Sequence, residues 1–250
     1  MGLIATALAA LALTSPTAYL QAQQQADGGW GSPQTTAWAV LALRAAGIAA
    51  PEGERYLRAH GVDLTAPTDV ALAALALGGP PELLDRLPRT GPTLNAAFWT
   101  ILALRAGGRA VPPETVRYVL AGQATSGGFS WARGVAPDSN DTAAAIEALR
   151  AAGVSGRPVT HALAFLARFQ NRDGGFALTR GRASDSQSTA WAIQAYLAAG
   201  KRPPKAAYRF LARMLQPDGS YRYSARYAST PLWVTAQVVP ALAGKPFPLS

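Results

Sequence analysis

A small polar residue precedes a tryptophan by four positions at several places in the chain, and this spacing indicates a binding surface. Residues four apart lie on the same face of a helix. The pairs are Gln34 and Trp38, Asn95 and Trp99, Gln187 and Trp191, and Ser229 and Trp233, with Thr68 and Leu72, and Asn140 and Ala144, as smaller versions. If this face borders a cavity, it offers an apolar, flat or cationic ligand a polar collar above indole rings, whose faces stabilise positive charge. The alternative is that the face packs against other helices and the indoles fill the core between two layers.

The pairs recur because the segments that contain them are copies of one helix. Each segment is rich in alanine and leucine, which favour helix, and its apolar positions are too dense for a half-exposed strand. We name these segments the B helices: 36–43, 70–77, 97–104, 142–149, 189–196 and 231–238. Each is followed by a glycine, at positions 47, 78, 107, 153, 200 and 244. Glycine suits the residue after a helix because the chain often turns left-handed there.

A more polar helix, the A helix, precedes each B helix. Proline suits the first position of a helix, because its missing N–H would have no partner within the helix. It stands at or beside the predicted start of each A helix, at positions 16, 51, 80–81, 112–113, 158 and 203–204. The chain is therefore predicted to be all-α, with six A–B hairpins of roughly 30–45 residues each. This spacing allows either an open solenoid or a closed ring.

Four connections between an A and a B helix share a motif of an aromatic–aliphatic pair, a glutamine and then Gly-x-aromatic. The copies begin at residues 19, 118, 165 and 210, with glutamines at 24, 123, 170 and 216. The motif resembles the QW repeat of squalene–hopene cyclases and related terpene cyclases, whose architecture the protein prenyltransferase β subunits share. The resemblance implies a single-barrel (α/α)6 toroid, with the B helices as the inner ring. It also implies that the glutamines and aromatic residues are scaffold that ties the outer layer together.

The same resemblance implies a chemical role for the segment Asp138-Ser139-Asn140-Asp141, at the head of the fourth B helix. Class II cyclases of this family begin their reaction with Asp-x-Asp-Asp-Thr-Ala, whose middle aspartate protonates an alkene or an epoxide. In this chain Asn140 occupies that position, and an amide does not supply a proton near neutral pH. Catalysis would then depend on an acid supplied by Asp138 or Asp141.

Helix capping or a place at the pore mouth is the alternative role for this segment. Asn140 aligns with a small polar residue at the start of every other B helix, and Asp138 aligns with Asp185. Short polar residues at the amino terminus of a helix accept backbone N–H groups and suit the helix dipole. This alternative explains all six aligned positions, whereas catalysis explains one.

The residue types present exclude several kinds of site. Prenyltransferases of this architecture hold zinc through Asp, Cys and His, and this chain has no cysteine, so we expect no metal. His60 and His161 are far apart in the sequence and do not replace that site. No phosphate loop, dinucleotide fingerprint or Gly-x-Ser-x-Gly elbow is present, and we expect no cofactor. The chain also lacks a basic–aromatic module, so no nucleic-acid partner is expected.

Charge and the amino-terminal segment bear on partners and location. The formal net charge is +9, and residues 157–226 hold 12 Lys/Arg against 3 Asp/Glu, which accounts for the whole excess. A basic face of this kind suits an anionic membrane surface or a protein partner, or serves solubility alone.

Residues 1–14 are apolar and are interpreted as a signal-peptide remnant or an extra helix, ahead of a single domain at 15–250. A secreted or cell-envelope location is slightly favoured over the cytoplasm.

Three functions follow from these observations. The first is a non-catalytic or catalytically degenerate toroid that binds an apolar ligand, an isoprenoid, a lipid or a corrinoid, in its ring. The corrinoid rests only on analogy of fold with vitamin B12 carriers. The second is a class II terpene cyclase, although cyclases of the family are expected to shape their cavity between two barrels. The third is an interaction scaffold whose ring is plugged by side chains.

Overall fold

The computed structural model describes residues 15–249. This part of the chain consists of α-helices and one short 3₁₀ helix (Gly61–Asp63) joined by loops, and it contains no named β-strand. The A helices are α1 (Pro16–Ala22), α3 (Pro51–His60), α5 (Pro81–Leu84), α7 (Pro113–Leu120), α9 (Arg157–Ala167) and α11 (Lys205–Met214). The B helices are α2 (Pro33–Ala45), α4 (Pro67–Ala76), α6 (Leu94–Ala106), α8 (Ser139–Ala151), α10 (Ser186–Ala198) and α12 (Pro231–Leu242). The all-α prediction is confirmed. The interpretation of residues 1–14 concerns a segment outside the described residues.

The B helices form a closed inner ring. Each packs against the B helix before it and the one after it, and the last, α12, packs against the first, α2. The A helices lie outside this ring in the grooves between B helices, as α7 does between α6 and α8. This arrangement excludes the open solenoid and confirms the (α/α)6 toroid.

Side-chain size and pattern explain the two layers. Alanine-rich B helices can approach one another closely, and in α6 every residue from 96 to 104 is buried. An A helix such as α11 buries only one stripe, formed by Ala207, Phe210, Leu211 and Met214. That stripe has helical spacing, and the polar face opposite it meets solvent. The hydrophobic core therefore lies within the inner ring and between the two layers.

Repeated hydrogen bonds hold the motif loops against the heads of the B helices. The side-chain amide of each motif glutamine donates within its own loop, as Gln24 Nε2 does to the carbonyl of Gly28 (2.8 Å). The backbone N–H of each motif aromatic residue donates to a threonine hydroxyl on the following B helix, as Trp30 does to Thr36 (2.9 Å). The equivalent pairs are Phe129–Thr142, Phe176–Thr189 and Tyr221–Thr235. These bonds fix the first turn of four of the six B helices relative to the motif loops.

The glycines that follow the B helices behave as predicted in five repeats, where their φ angles are positive. In the third repeat the left-handed residue is Gly108 (φ +68°) rather than Gly107. Gly107 instead lies against Gly79, and a Cβ atom added to Gly79 would stand 2.3 Å from the Cα atom of Gly107. In the alignment of the B helices Gly108, and not Gly107, is equivalent to Gly47, Gly153 and Gly200, so the left-handed position is the same in these repeats.

Candidate functional site

The ring encloses a cavity of about 330 Å³ at the end where the B helices begin. Polar residues from the helix amino termini surround its mouth, and indoles lie below them. The residues from the polar–aromatic pairs that line it are Gln34, Trp38, Thr68, Leu72, Asn95, Trp99, Asn140, Ala144, Gln187, Trp191 and Trp233. The structure therefore brings these faces together inside the ring, rather than turning them toward the outer layer.

Ser229 is the predicted ligand-binding residue that does not line the cavity. It is exposed and precedes α12, which begins at Pro231. Between them Thr230 has a positive φ of 48°, so the chain turns before the helix starts. Because Ser229 is not helical, its spacing of four from Trp233 does not place the two on one face.

The four indoles meet at the centre of the ring. The ring centroid of Trp38 lies 5.5 Å from that of Trp99, 5.8 Å from that of Trp191 and 6.0 Å from that of Trp233, in edge-to-face contacts. Such contacts contribute ~0.5–1.5 kcal/mol each beyond the area they bury. Trp191 is also fixed by its Nε1–H, which donates to Gln237 Oε1 (2.8 Å). The cavity consequently has a packed aromatic floor.

Two carboxyl groups stand together at the mouth, at the start of α8. Asp138 Oδ1 accepts the backbone N–H of Asp141 (2.8 Å), and the side-chain amide of Asn95 on α6 donates to Asp141 Oδ1 (2.6 Å). Burial, and then the charge of Asp138, raises the pKa of Asp141 to about 7. Burial also raises the pKa of Asp138. Both carboxyl groups beside the cavity therefore hold a proton more readily than an exposed aspartate does.

The side-chain caps of the B helices lie two positions before the aligned polar residues. Oxygens of Ser32, Thr93, Asp138 and Asp185 each accept the backbone N–H of the residue three positions further on. In the segment 138–141 the cap is therefore Asp138 rather than Asn140, and of the two alternatives for Asn140 the structure shows a place at the cavity mouth. Asn140 lines the cavity, and its side-chain oxygen accepts the hydroxyl of Ser139 (3.2 Å).

Asp69 is a cavity residue that was not among the predicted ones. It stands on α4 where Asp141 stands on α8, and Gln34 Nε2 donates to its Oδ2 (2.9 Å), as Asn95 does to Asp141. Ala66 occupies the place of Asp138 in this repeat, so the second carboxyl of the pair is missing. The alignment of Asp69 with Asp141 is the sequence signal that could have identified it.

Beyond the indoles the ring contains polar side chains that the motifs did not predict. Glu147 on α8 and Gln194 on α10 are 0% and 1% exposed, and burial raises the pKa of Glu147 to about 8. Glu147 Oε2 accepts the backbone N–H of Phe247 (2.6 Å). Among the described residues, Glu147 Oε1, both amide atoms of Gln194 and Nε2 of Gln237 have no hydrogen-bond partner. An acidic residue inside an alanine-rich helix is the signal that singles out Glu147.

Residues 15–249 contain neither a metal-binding cluster nor a membrane-spanning helix. No group of three or more His, Cys, Asp or Glu side chains is placed there to hold a metal ion. No helix in the same range is both long enough and apolar enough to cross a membrane.

Solved structures identify the architecture, whereas no protein-family profile and no curated protein matches the chain. A protein from Actinoplanes is 19% identical over 94% of this chain and 98% of its own, with a TM-score of 0.66. The type II terpene cyclase MstE from Scytonema is 15% identical over 93% of this chain and 96% of its own (TM-score 0.70). An aspartate-to-alanine variant of MstE was solved with its product, merosterolic acid A. The ent-copalyl diphosphate synthase from Streptomyces platensis is 18% identical over 85% of this chain and 50% of its own (TM-score 0.59).

At these identities the likeness shows the fold: this chain is a terpene cyclase-like α/α toroid. Its match covers half of the copalyl diphosphate synthase chain but nearly all of MstE. The chain of MstE, a type II terpene cyclase, is therefore matched over nearly its whole length by this single ring.

Proposed function

We propose that this protein binds an isoprenoid or a similar hydrocarbon chain inside its ring. The observation that carries the proposal is the cavity, in which a polar collar stands above four indoles. Indole rings provide a large apolar surface, and their faces attract positive charge. The cavity volume of about 330 Å³ is at the lower end for small-molecule sites. A corrinoid is much larger, so the proposal is restricted to isoprenoid and lipid chains.

Acid-initiated cyclisation is a second candidate, favoured by the Asp138–Asp141 pair. In such a reaction the π electrons of an alkene take the proton of Asp141, which becomes a carboxylate while the substrate becomes a carbocation. A second alkene then closes a ring onto the cation, and loss of a proton from the product restores the acid. The raised pKa of Asp141 keeps a proton available near neutral pH, and the indoles below can stabilise the cation.

A cleft beside the mouth supports a ligand with an anionic end. The cleft has a volume of about 540 Å³, meets the cavity at Leu178 and carries Arg182 and Arg226 on its wall. Within residues 15–249 neither arginine forms an ion pair. Arg226 stacks its guanidinium on Tyr227, 5.3 Å from the ring centroid. A carboxylate or diphosphate could bind these guanidinium groups while its hydrocarbon chain enters the ring.

Binding is tested with the purified protein and prenyl compounds. Geranylgeraniol and geranylgeranyl diphosphate are expected to quench the indole fluorescence in a saturable way. The diphosphate is expected to bind more tightly, and an Arg182→Ala, Arg226→Ala double variant should remove that difference. Solvent extracts of the protein, analysed by mass spectrometry, should contain a co-purifying isoprenoid. If no compound binds and no lipid co-purifies, the interaction scaffold is supported instead.

Catalysis is tested by comparing two aspartates in matched positions. Turnover of geranylgeranyl diphosphate or squalene to cyclic products should fall by at least about a hundredfold in Asp141→Asn, because the general acid is removed. Asp69→Asn removes a carboxylate with an equivalent amide partner but leaves the acid pair intact, so its loss should be much smaller. Asn140→Asp restores the acid at the position that the family motif implies. If neither the wild type nor Asn140→Asp forms a cyclic product, the cyclase candidate is overturned and binding alone remains.

A further inference from the structure

The segment after α12 closes the ring from the end opposite the mouth. α12 ends at Leu242, and the chain then turns inward so that Phe247 is only 3% exposed. The ring centroid of Phe247 lies 6.0 Å from that of Trp38 and 6.3 Å from that of Trp191. Since both indoles belong to the cavity floor, Phe247 supports this floor from beneath.

One hydrogen bond anchors the tail at this place. The backbone N–H of Phe247 donates to Glu147 Oε2 (2.6 Å), in a fully buried position. Glu147 is on α8, whereas Trp38 is on α2 and Trp191 is on α10. Phe247 therefore contacts three of the B helices, which places its side chain close to the axis of the ring.

Buried polar side chains lie about one helical turn beyond the residues that line the floor, at Glu147, Gln194 and Gln237. Glu147 Oε1, both amide atoms of Gln194 and Nε2 of Gln237 are buried and have no partner among the described residues. Gln237 also lines the cavity and accepts the Nε1–H of Trp191, so it connects the cavity with this deeper level. Buried polar atoms without partners cost free energy. The tail satisfies one of these polar groups, Glu147, through its Oε2, and leaves Glu147 Oε1 without a partner.

We propose that the C-terminal tail supports the aromatic floor of the ligand site and that Phe247, through this floor, sets the length of the chain that the ring accepts. The inference rests on the proposed function, in which a hydrocarbon chain enters from the mouth and ends at the indoles. Replacing Phe247 by alanine removes about as many carbon atoms as one isoprene unit contains. The indoles of Trp38 and Trp191 could then shift toward the vacated space and deepen the cavity by a comparable amount.

The experiment measures the binding of farnesol, geranylgeraniol and geranylfarnesol, each longer than the last by one isoprene unit. In Phe247→Ala, the affinity for geranylfarnesol relative to farnesol is expected to rise by about tenfold or more. Glu147→Leu removes the anchor and should shift the preference in the same direction, whereas Glu147→Gln keeps an acceptor for the N–H and should not. Phe169→Ala is the matched control, because Phe169 is a buried phenylalanine (4% exposed) that packs on Phe165 in the outer layer.

Each outcome has a defined consequence. If folded Phe247→Ala and Glu147→Leu keep the wild-type length preference, the inference is overturned while the proposed function stands. An equal shift in Phe169→Ala would also overturn it, because general loosening would then explain the result. If Phe247→Ala does not fold, Phe247→Leu and Glu147→Leu decide the question. If no variant binds any of the three alcohols, the proposed function fails, and this inference fails with it.

Discussion

The buried carboxyl of Glu147 makes the stability of the fold depend on pH. Removal from water raises its pKa from 4.5 to about 8, and the hydrogen bond from Phe247 offsets only part of this effect. Between these two values the folded protein holds a proton that the unfolded chain has lost. Unfolding therefore releases a proton in this window, and the free energy of unfolding falls as the pH rises through it.

The size of the effect follows from the width of the window. A difference of one in pKa between the folded and the unfolded state corresponds to about 1.4 kcal/mol, so Glu147 should lower the free energy of unfolding by about 4–5 kcal/mol between pH 4.5 and about pH 8. Glutamine keeps the size and the acceptor for the Phe247 N–H but does not titrate. Glu147→Gln should therefore match the wild type to within about 1 kcal/mol near about pH 5, and exceed it by several kcal/mol near about pH 9.

Urea denaturation of both proteins across this pH range, followed by indole fluorescence, measures the difference. The carboxyls of Asp138, Asp141 and Asp185 also have raised pKa values, so the stability of each protein will depend on pH for other reasons. These contributions are common to both proteins and cancel when one curve is subtracted from the other. A difference between the two proteins that does not change with pH would refute the reasoning.

Two further predictions concern packing and hydrogen bonding. Gly79→Ala should lower the free energy of unfolding by more than about 3 kcal/mol, because its Cβ would stand 2.3 Å from the Cα of Gly107 at a φ of +77°. Gly108→Ala, with a φ of +68° and open space around it, should cost only about 1–2 kcal/mol, and thermal melts of the two variants compare them. Trp191→Phe should cost about 1–3 kcal/mol in urea denaturation, because it leaves Gln237 Oε1 buried without its donor. A Trp191→Phe variant as stable as the wild type would show that another donor replaces the indole.

The inner helices and most of the cavity wall could be predicted from the sequence because they repeat. The apolar pattern around Trp38 recurs in every B helix, and the aligned copies place the tryptophans at the same level along the axis of the ring. The first turns of the B helices were harder to predict, because an alignment on apolar positions does not locate the capping residue. The structure places the cap of α8 at Asp138, two positions before Asn140, and α12 begins only after Ser229.

The tail that supports the floor of the site could not be predicted in this way. Phe247 lies outside the repeats, and no periodic pattern links it to the indoles that it contacts. Glu147 is visible as an acidic residue among alanines, but its role depends on a partner 100 residues further along the chain. The raised pKa values of Asp141 and Glu147 likewise result from burial, which only the assembled ring produces.

Because α12 packs against α2 and closes the ring, the molecule is expected to unfold differently from a linear repeat protein. In a linear array of repeats, a terminal unit has a single neighbour and frays before the others. In this ring every B helix has a neighbour on both sides, so displacing any one of them breaks two interfaces at once. Amide hydrogen exchange in the B helices should therefore occur through one shared global transition, as in a small globular domain, rather than progress inward from the ends.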